Sequence, residues 1–222
     1  MTKILELQGV SKLYKVGKKE VRALNPISFN LEGEPSKIIT VAGESGSGKT
    51  TLASIMLGLI QPSTGSVRYM GMDIQNLNSS EYKEFRKNVQ AVFQDPFAVF
   101  NPFYPVDHLL EVPIRKFNKK LTKTKRQSMM EEALEAVGLQ PREILGRYPH
   151  QLSGGQRQRI NVARAIVIKP KILIADEPVS MVDASLRANI LEALVSLKVN
   201  YKVNILYITH DLTTAYHVSD SI

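Results

Sequence analysis

Apolar residues along the chain follow two different spacings, which together predict an α/β protein. Short continuous apolar runs at 38–42, 172–175 and 203–208 are typical of strands buried on both faces of a parallel sheet. Elsewhere apolar residues recur three and four positions apart, which is typical of helices. The helical sets are Leu52, Ile55, Met56, Leu59 and Ile60 after the first run, and Leu186, Ile190, Leu194 and Leu197 after the second. The alternation predicts helices packed on a mostly parallel sheet.

Two segments depart from this alternation. Residues 5–31 alternate in a strand-like way around Pro26, which predicts an N-terminal antiparallel β subdomain. Residues 101–150 contain several prolines and then a polar helical stretch at 122–137, whose apolar stripe is Met130, Ala133, Leu134 and Val137. We therefore expect a single domain over 1–222, with the β-rich lead-in and core at 1–100 and 151–222 and an inserted α-helical subdomain at 101–150.

A glycine-rich segment, GESGSGKT at 43–50, follows the first apolar run and precedes the first helical set. It fits the pattern G-x-x-x-x-G-K-[ST], whose glycines let backbone N–H groups point toward phosphates. Lys49 would add a charge for the β- and γ-phosphates, and the Thr50 hydroxyl can hold Mg²⁺. A plain strand-to-helix turn is the alternative, but the fixed positions in this context favour a nucleoside triphosphate site. The expected nucleotide-binding residues here are Gly43, Ser45, Gly46, Ser47, Gly48, Lys49, Thr50 and Thr51.

Three further segments stand where a strand ends or a helix begins. The run at 172–175 ends in Asp176 and Glu177, the form of a strand that delivers one carboxylate to Mg²⁺ and a second to water. The run at 203–208 leads to His210. The pentapeptide LSGGQ at 152–156 precedes a strongly helical stretch at 157–168, and a glycine pair at a helix start admits a phosphate close to the backbone.

With these segments in order, the chain resembles the nucleotide-binding subunits of ATP-binding cassette (ABC) transporters over nearly its whole length. The LSGGQ pentapeptide is the most specific mark of that family. The order also matches: Tyr14, the glycine-rich loop, Gln94, LSGGQ, Asp176 and Glu177, Asp183, then His210. The resemblance implies a P-loop NTPase core that hydrolyses ATP with Mg²⁺ as its cofactor.

The resemblance also implies catalytic roles for individual residues. Glu177 would act as general base on the attacking water, and His210 would contact the γ-phosphate. Gln94 would reach Mg²⁺ or the water, while Thr50 and Asp176 would hold the metal. Lys49 would stabilise the phosphates during transfer.

Other implied contacts involve the base and a second subunit. Tyr14 would stack on the adenine ring. The signature residues Ser153, Gly154, Gly155 and Gln156 would face nucleotide held by the P-loop of a second ABC ATPase subunit, identical or merely similar. Asp183 would lie at the contact between these two subunits.

Composition and charge limit the possible location, metal sites and partners of the protein. No apolar run approaches the roughly 18 residues of a membrane span, and the N-terminus lacks a signal pattern. The absence of cysteine excludes disulfides and thiolate metal sites. The net charge of +8 could indicate nucleic acid, but the basic runs at 15–22 and 116–126 lack interleaved aromatic residues. We interpret them as solvated faces and expect no nucleic-acid partner.

Within the family, two segments resemble the dipeptide, oligopeptide and nickel importer group: QDPFA at 94–98 and YPHQ at 148–151. We therefore expect transmembrane permease subunits, an extracytoplasmic solute-binding protein and a peripheral position on the cytoplasmic face of the membrane. The segment PVSMVD at 178–183 departs from the commoner PTSALD without removing a catalytic group. The chain ends soon after His210, where members of the family continue, so we expect a further segment.

Two alternatives belong to other functional classes. A soluble ABC ATPase acting in DNA repair or on the ribosome would typically need a coiled coil or two cassettes in tandem. Too few residues separate Gln94 from Leu152 for a long coiled coil. A P-loop kinase should lack LSGGQ, so the transporter subunit is the favoured interpretation.

Overall fold

The computed structural model describes residues 3–95 and 97–222, apart from the side chain of Ser185. Pro96 of the QDPFA segment lies outside the described residues. The strands are β1 (Lys3–Val16), β2 (Lys19–Glu32), β3 (Ile38–Ala42), β4 (Thr64–Tyr69), β5 (Met72–Asp73), β6 (Val89–Val92), β7 (Ile172–Asp176) and β8 (Asn204–Thr209). The helices are α1 (Lys49–Met56), α2 (Ser79–Asn88), α3 (Val106–Phe117), α4 (Lys123–Ala136), α5 (Pro141–Ile144), α6 (Gly154–Ile166), α7 (Ala184–Tyr201) and α8 (Leu212–Val218), with a 3₁₀ turn at Pro149–Gln151.

The centre of the fold is a parallel sheet of four strands in the order β3-β8-β7-β6. Every residue of β7 and β8 is buried, which explains why their sequences are continuous apolar runs rather than alternating ones. The carboxyl ends of parallel strands meet at one edge of the sheet, where ligands of such folds bind. The segments that follow β3, β6, β7 and β8 therefore gather at this edge.

A second sheet is antiparallel, in the order β2-β1-β4-β5, as the alternating N-terminal pattern predicts. Pro26 lies within β2, which is an edge strand of this sheet. An edge strand tolerates proline because the missing N–H need not pair on the open side. The two sheets contribute to a shared core, in which Leu5, Leu7 and Val67 join Ile174, Leu206 and Ile208.

Helices α3, α4 and α5 occupy the stretch between β6 and α6. The predicted stripe of α4 is buried at all four positions, in a core that also contains Ile160 of α6 and Leu110 of α3. Among the described residues, no helix combines the length and the apolar character needed to cross a bilayer. The predicted architecture is observed: an α/β core with a parallel sheet, an antiparallel β subdomain and inserted helices.

Two predicted helix boundaries are wrong for local reasons. Helix α1 ends at Met56 because Gly58 takes a left-handed conformation (φ 66°), so Leu59 is 50% exposed instead of extending the apolar face. Helix α6 begins at Gly154 rather than residue 157, since the Ser153 hydroxyl accepts the Gln156 N–H at 3.2 Å and the Gln156 side chain accepts the Ser153 N–H at 3.0 Å. This reciprocal capping starts the helix inside the LSGGQ segment.

Candidate nucleotide site

An open cleft of about 600 Å³ lies at the carboxyl edge of the parallel sheet. It brings the glycine-rich loop together with four residues that are distant in sequence. Its lining residues are Ala23, Glu44, Ser45, Gly46, Gly48, Lys49, Thr50, Thr51, Gln94, Glu177 and His210. Most of the residues predicted to act on ATP therefore share one cleft.

The glycine-rich loop has a conformation that its sequence requires. Gly46 and Gly48 have φ values of 83° and 94°, in the left-handed region that favours glycine. A Cβ at Gly48 would come within 2.3 Å of the Ala23 carbonyl oxygen, so no larger residue fits. The Lys49 ammonium donates to the carbonyl oxygens of Gly43 and Glu44, both at 2.7 Å. These bonds hold its charge over the loop, at the positive end of α1.

Asp176 ends β7 beside this loop and is only 5% exposed. Burial raises the pKa of its carboxyl, as does the nearby charge of Glu177, while the Thr50 hydroxyl and the Lys49 charge act in the opposite direction. Its Oδ1 is buried without a hydrogen-bond partner. The unpaired Asp176 carboxylate oxygen and the nearby Thr50 hydroxyl suit Mg²⁺. This ion usually binds one or two protein oxygens and completes its coordination with phosphate and water oxygens. No cluster of three or more His, Cys, Asp or Glu side chains suited to a metal occurs in the described part of the chain.

The raised pKa of Asp176 predicts a pH-dependent stability in the absence of metal and nucleotide. A carboxyl whose pKa rises on folding favours the folded state at low pH, and this contribution is lost as pH rises from about 4 through the folded pKa. We expect Asp176→Asn to raise the free energy of unfolding by about 1–3 kcal/mol at pH 7, since it removes a buried, incompletely paired charge. The gain should shrink toward pH 4. Denaturant titrations of both proteins at pH 4 and 7 test this, and a constant difference across pH would contradict it.

Glu177 and His210 form a pair at the mouth of the cleft. The His210 Nδ1 lies 2.7 Å from the Glu177 Oε1, and the histidine side chain is the more exposed of the two. Glu177 has a positive φ of 50°, which is uncommon for a residue other than glycine. Its N–H donates to the Ile208 carbonyl at 2.9 Å, and its own carbonyl accepts from the Ser180 hydroxyl at 2.9 Å. The ends of two adjacent strands thus fix the carboxylate beside the P-loop.

The remaining predicted residues do not line the cleft. Ser153 and Gln156 cap α6, Gly154 has open space where a Cβ would lie, and a Cβ at Gly155 would clash with Leu186 of α7 at 2.7 Å. Asp183 is exposed at the start of α7. The Tyr14 ring is exposed near the Lys12 ammonium, whose nitrogen lies 5.2 Å from the ring centroid.

Two lining residues, Ala23 and Glu44, and the contact between His210 and Glu177 were not predicted from sequence patterns. Ala23 belongs to the second strand and contributes its backbone beside Gly48, for which no residue-type signal exists. Glu44 lies at a variable position of the P-loop pattern. The contact between His210 and Glu177 joins residues 33 positions apart and depends on the pairing of β7 with β8.

Comparison with known proteins decides the family. A family model described as ABC transporter matches residues 24–180. The chain belongs to the ABC transporter family. It is 40% identical to the oligopeptide transport ATP-binding protein AppF of Bacillus subtilis over 99% of this chain and 68% of that protein. It is 36% identical to the di/tripeptide transport ATP-binding protein DppF of Pseudomonas aeruginosa, over 100% of this chain and 69% of that one.

Solved structures of ABC cassettes share the fold. A dimeric ATP-binding cassette in a post-hydrolysis state, bound to ADP and Pi, superposes with a TM-score of 0.82 at 29% identity, covering 95% of this chain and 90% of that one. A further sequence relative is the oligopeptide transport ATP-binding protein OppF of Salmonella typhimurium. The two are 36% identical over 92% of this chain and 60% of the length of OppF. The predicted family, fold and ATPase class are confirmed.

Proposed function

We propose that this chain binds and hydrolyses ATP as one cassette subunit of an importer for peptides or related small solutes. The convergence of the P-loop, Asp176, Glu177 and His210 at one sheet edge carries the ATPase part of the proposal. The names of its relatives, which transport oligopeptides, dipeptides and tripeptides, support the substrate class. The substrate itself would be selected by other subunits.

The geometry supports a direct hydrolysis step. Glu177 would accept a proton from a water whose oxygen attacks the γ-phosphorus, and the bond from that phosphorus to the bridging oxygen would break to release ADP. His210 contacts the Glu177 carboxylate and lines the same cleft, and it would also contact the γ-phosphate. Lys49 and the loop N–H groups would carry the charge of the transferred group. Thr50, Asp176 and Gln94 would hold Mg²⁺, which neutralises phosphate charge when bound.

The signature residues point to a partner cassette. Ser153 and Gly154 are accessible, and they lie apart from the lining of this chain's own cleft. We propose that they cover the nucleotide of a second ABC ATPase subunit, with Asp183 at the contact. Such a split site would turn nucleotide binding into rigid-body motion between subunits.

A separate groove of about 380 Å³ fits a membrane partner. It is lined by apolar residues of α3 and of the loop that follows Gln94, including Val112, Phe100 and Leu109. Three cations also line it: Arg86, Lys116 and Arg164, of which Arg164 has a buried Nε without a partner. We propose that a short permease segment with apolar residues and an acidic side chain occupies this groove. The chain would then lie peripherally at the cytoplasmic face of the membrane, alongside an extracytoplasmic solute-binding protein.

A charge in this groove should uncouple the subunit from the membrane. Val112 is exposed on α3, so Val112→Asp should fold normally but place a carboxylate in the apolar part of the groove. We expect at least a tenfold loss of permease association, because the new carboxylate would repel the acidic side chain of the permease segment and compete with it for the groove cations. The ATPase activity of the isolated subunit should be unchanged. Val199→Asp, at an exposed valine of α7, is the matched control. Equal permease recovery with both variants would contradict the assignment of the groove.

Uptake measurements test the proposed function as a whole. Cells carrying Glu177→Gln in the chromosomal copy should lose uptake of labelled short peptides but retain uptake of a labelled free amino acid. Unchanged peptide uptake together with a defect in DNA repair or translation would overturn the transport role.

A further inference from the structure

Gln158 is a buried polar residue on α6 that makes an unusual long-range contact. It lies two residues after the LSGGQ segment and is 0% exposed. Its Nε2 donates to the carbonyl oxygen of Pro178 at 2.6 Å. Pro178 directly follows Glu177, so α6 is tied to the turn that carries the proposed general base.

The turn at 177–180 needs external support. Glu177 occupies the left-handed region, which persists in a residue with a side chain only where surrounding contacts impose it. The Ile208 carbonyl holds the Glu177 N–H from the β8 side, and the Ser180 hydroxyl and N–H close the turn on the Glu177 carbonyl. Gln158 supplies a contact from the helix side, on the next carbonyl along the chain.

The other half of the amide argues against a role in packing alone. The Gln158 Oε1 is buried without a hydrogen-bond partner, which is costly for a side chain that only fills space. An apolar residue of similar length would avoid that cost but could not donate to Pro178. A buried polar atom without a partner is expected mainly where the residue serves function, so the Gln158 amide is best explained by its donation to Pro178.

We infer that Gln158 is a positioning residue, which fixes the Glu177–Pro178 turn and links it to the signature motif through α6. The inference rests on the proposed role of Glu177 as general base. Ser153 caps the same helix, α6, and lies less than two turns before Gln158. A partner's nucleotide that contacts the signature motif would therefore act on the helix that holds the Glu177–Pro178 turn of this chain. Each ATP site of a dimer would thereby sense occupancy of the other.

Gln158→Met tests the inference because it keeps the length and removes the donor. We expect kcat for ATP hydrolysis to fall by about ten- to a hundredfold, while KM and the affinity for Mg-ATP stay within about twofold, since a small misplacement of a catalytic group affects the chemical step. Gln127→Met is the control and should retain full kcat, because the Gln127 amide donates to Glu131 on the same helix, α4. A purely structural role would lower the melting temperature without changing kcat per folded molecule.

Two further variants make each outcome decisive. Gln158→Asn retains the amide but is one methylene too short, so it should also lose kcat and serves if the Met variant does not fold. Glu177→Gln is measured in parallel: if it hydrolyses ATP at the parental rate, the proposed base is wrong whatever Gln158 does. If Glu177→Gln is inactive while both Gln158 variants retain full kcat, the positioning role is overturned and the proposed function stands.

Discussion

Glu177→Gln is expected to lower kcat for ATP hydrolysis by about 10²–10⁴-fold while leaving Mg-ATP binding intact. The amide keeps the size of the side chain but cannot accept a proton from the attacking water. Phosphate release at saturating ATP measures the first effect, and titration with a fluorescent ATP analogue measures the second.

The same variant should accumulate as an ATP-bound dimer, because the nucleotide that joins two cassettes is no longer consumed. Size-exclusion chromatography with and without Mg-ATP detects this. Glu192→Gln, at an exposed carboxylate of α7, is the control and should behave like the parent. A Glu177→Gln protein that hydrolyses ATP at the control's rate would show that Glu177 is not the general base.

The second large effect is expected at Lys49. Lys49→Met keeps most of the stem and removes the ammonium that bonds to the Gly43 and Glu44 carbonyls. We expect affinity for ATP to fall by about 10- to 150-fold, since hydrogen bonds to charged groups contribute about 1.5–3 kcal/mol. Lys119→Met, at an exposed position between α3 and α4, controls for the loss of one positive charge.

Calorimetric titration of both lysine variants with Mg-ATP gives the comparison directly. The melting temperature without nucleotide should change little in the control. Equal ATP affinity in Lys49→Met and Lys119→Met would show that the nucleotide binds elsewhere.

Sequence reasoning succeeded where a local pattern has only one structural solution. The apolar runs of β7 and β8 are continuous because both faces of these strands are buried, so their place in a parallel sheet was predictable. The P-loop pattern predicted its own conformation, since Gly46 and Gly48 need positive φ. The carboxyl edge of the sheet then places Gln94, Glu177 and His210 around that loop.

Other features depend on contacts that no local pattern encodes. The left-handed Gly58 ends α1 before Leu59, and the capping pair Ser153 and Gln156 starts α6 earlier than periodicity indicates. The positive φ of Glu177 and its bond to His210 follow from the pairing of β7 with β8. The donation from Gln158 to Pro178 joins residues that only the packed helix and sheet bring together.

The roles of the signature residues and Asp183 stay predictions because a single chain cannot display a site shared by two. Gly155 already has a structural reason within this chain, its close packing on Leu186. Gly154 has none of this kind, since open space lies where its Cβ would be. We propose that the small size of Gly154 serves the approach of a partner's nucleotide.

The transport role is tested by identifying the proteins that co-purify with the tagged chain from gently solubilised membranes of its native host. We expect multi-span permease subunits together with a second ABC ATPase subunit, and we expect the permease subunits to be lost in Val112→Asp but not in Val199→Asp. Recovery with ribosomes or DNA-associated proteins alone would contradict a transport role and leave the chain an ATPase with a different partner.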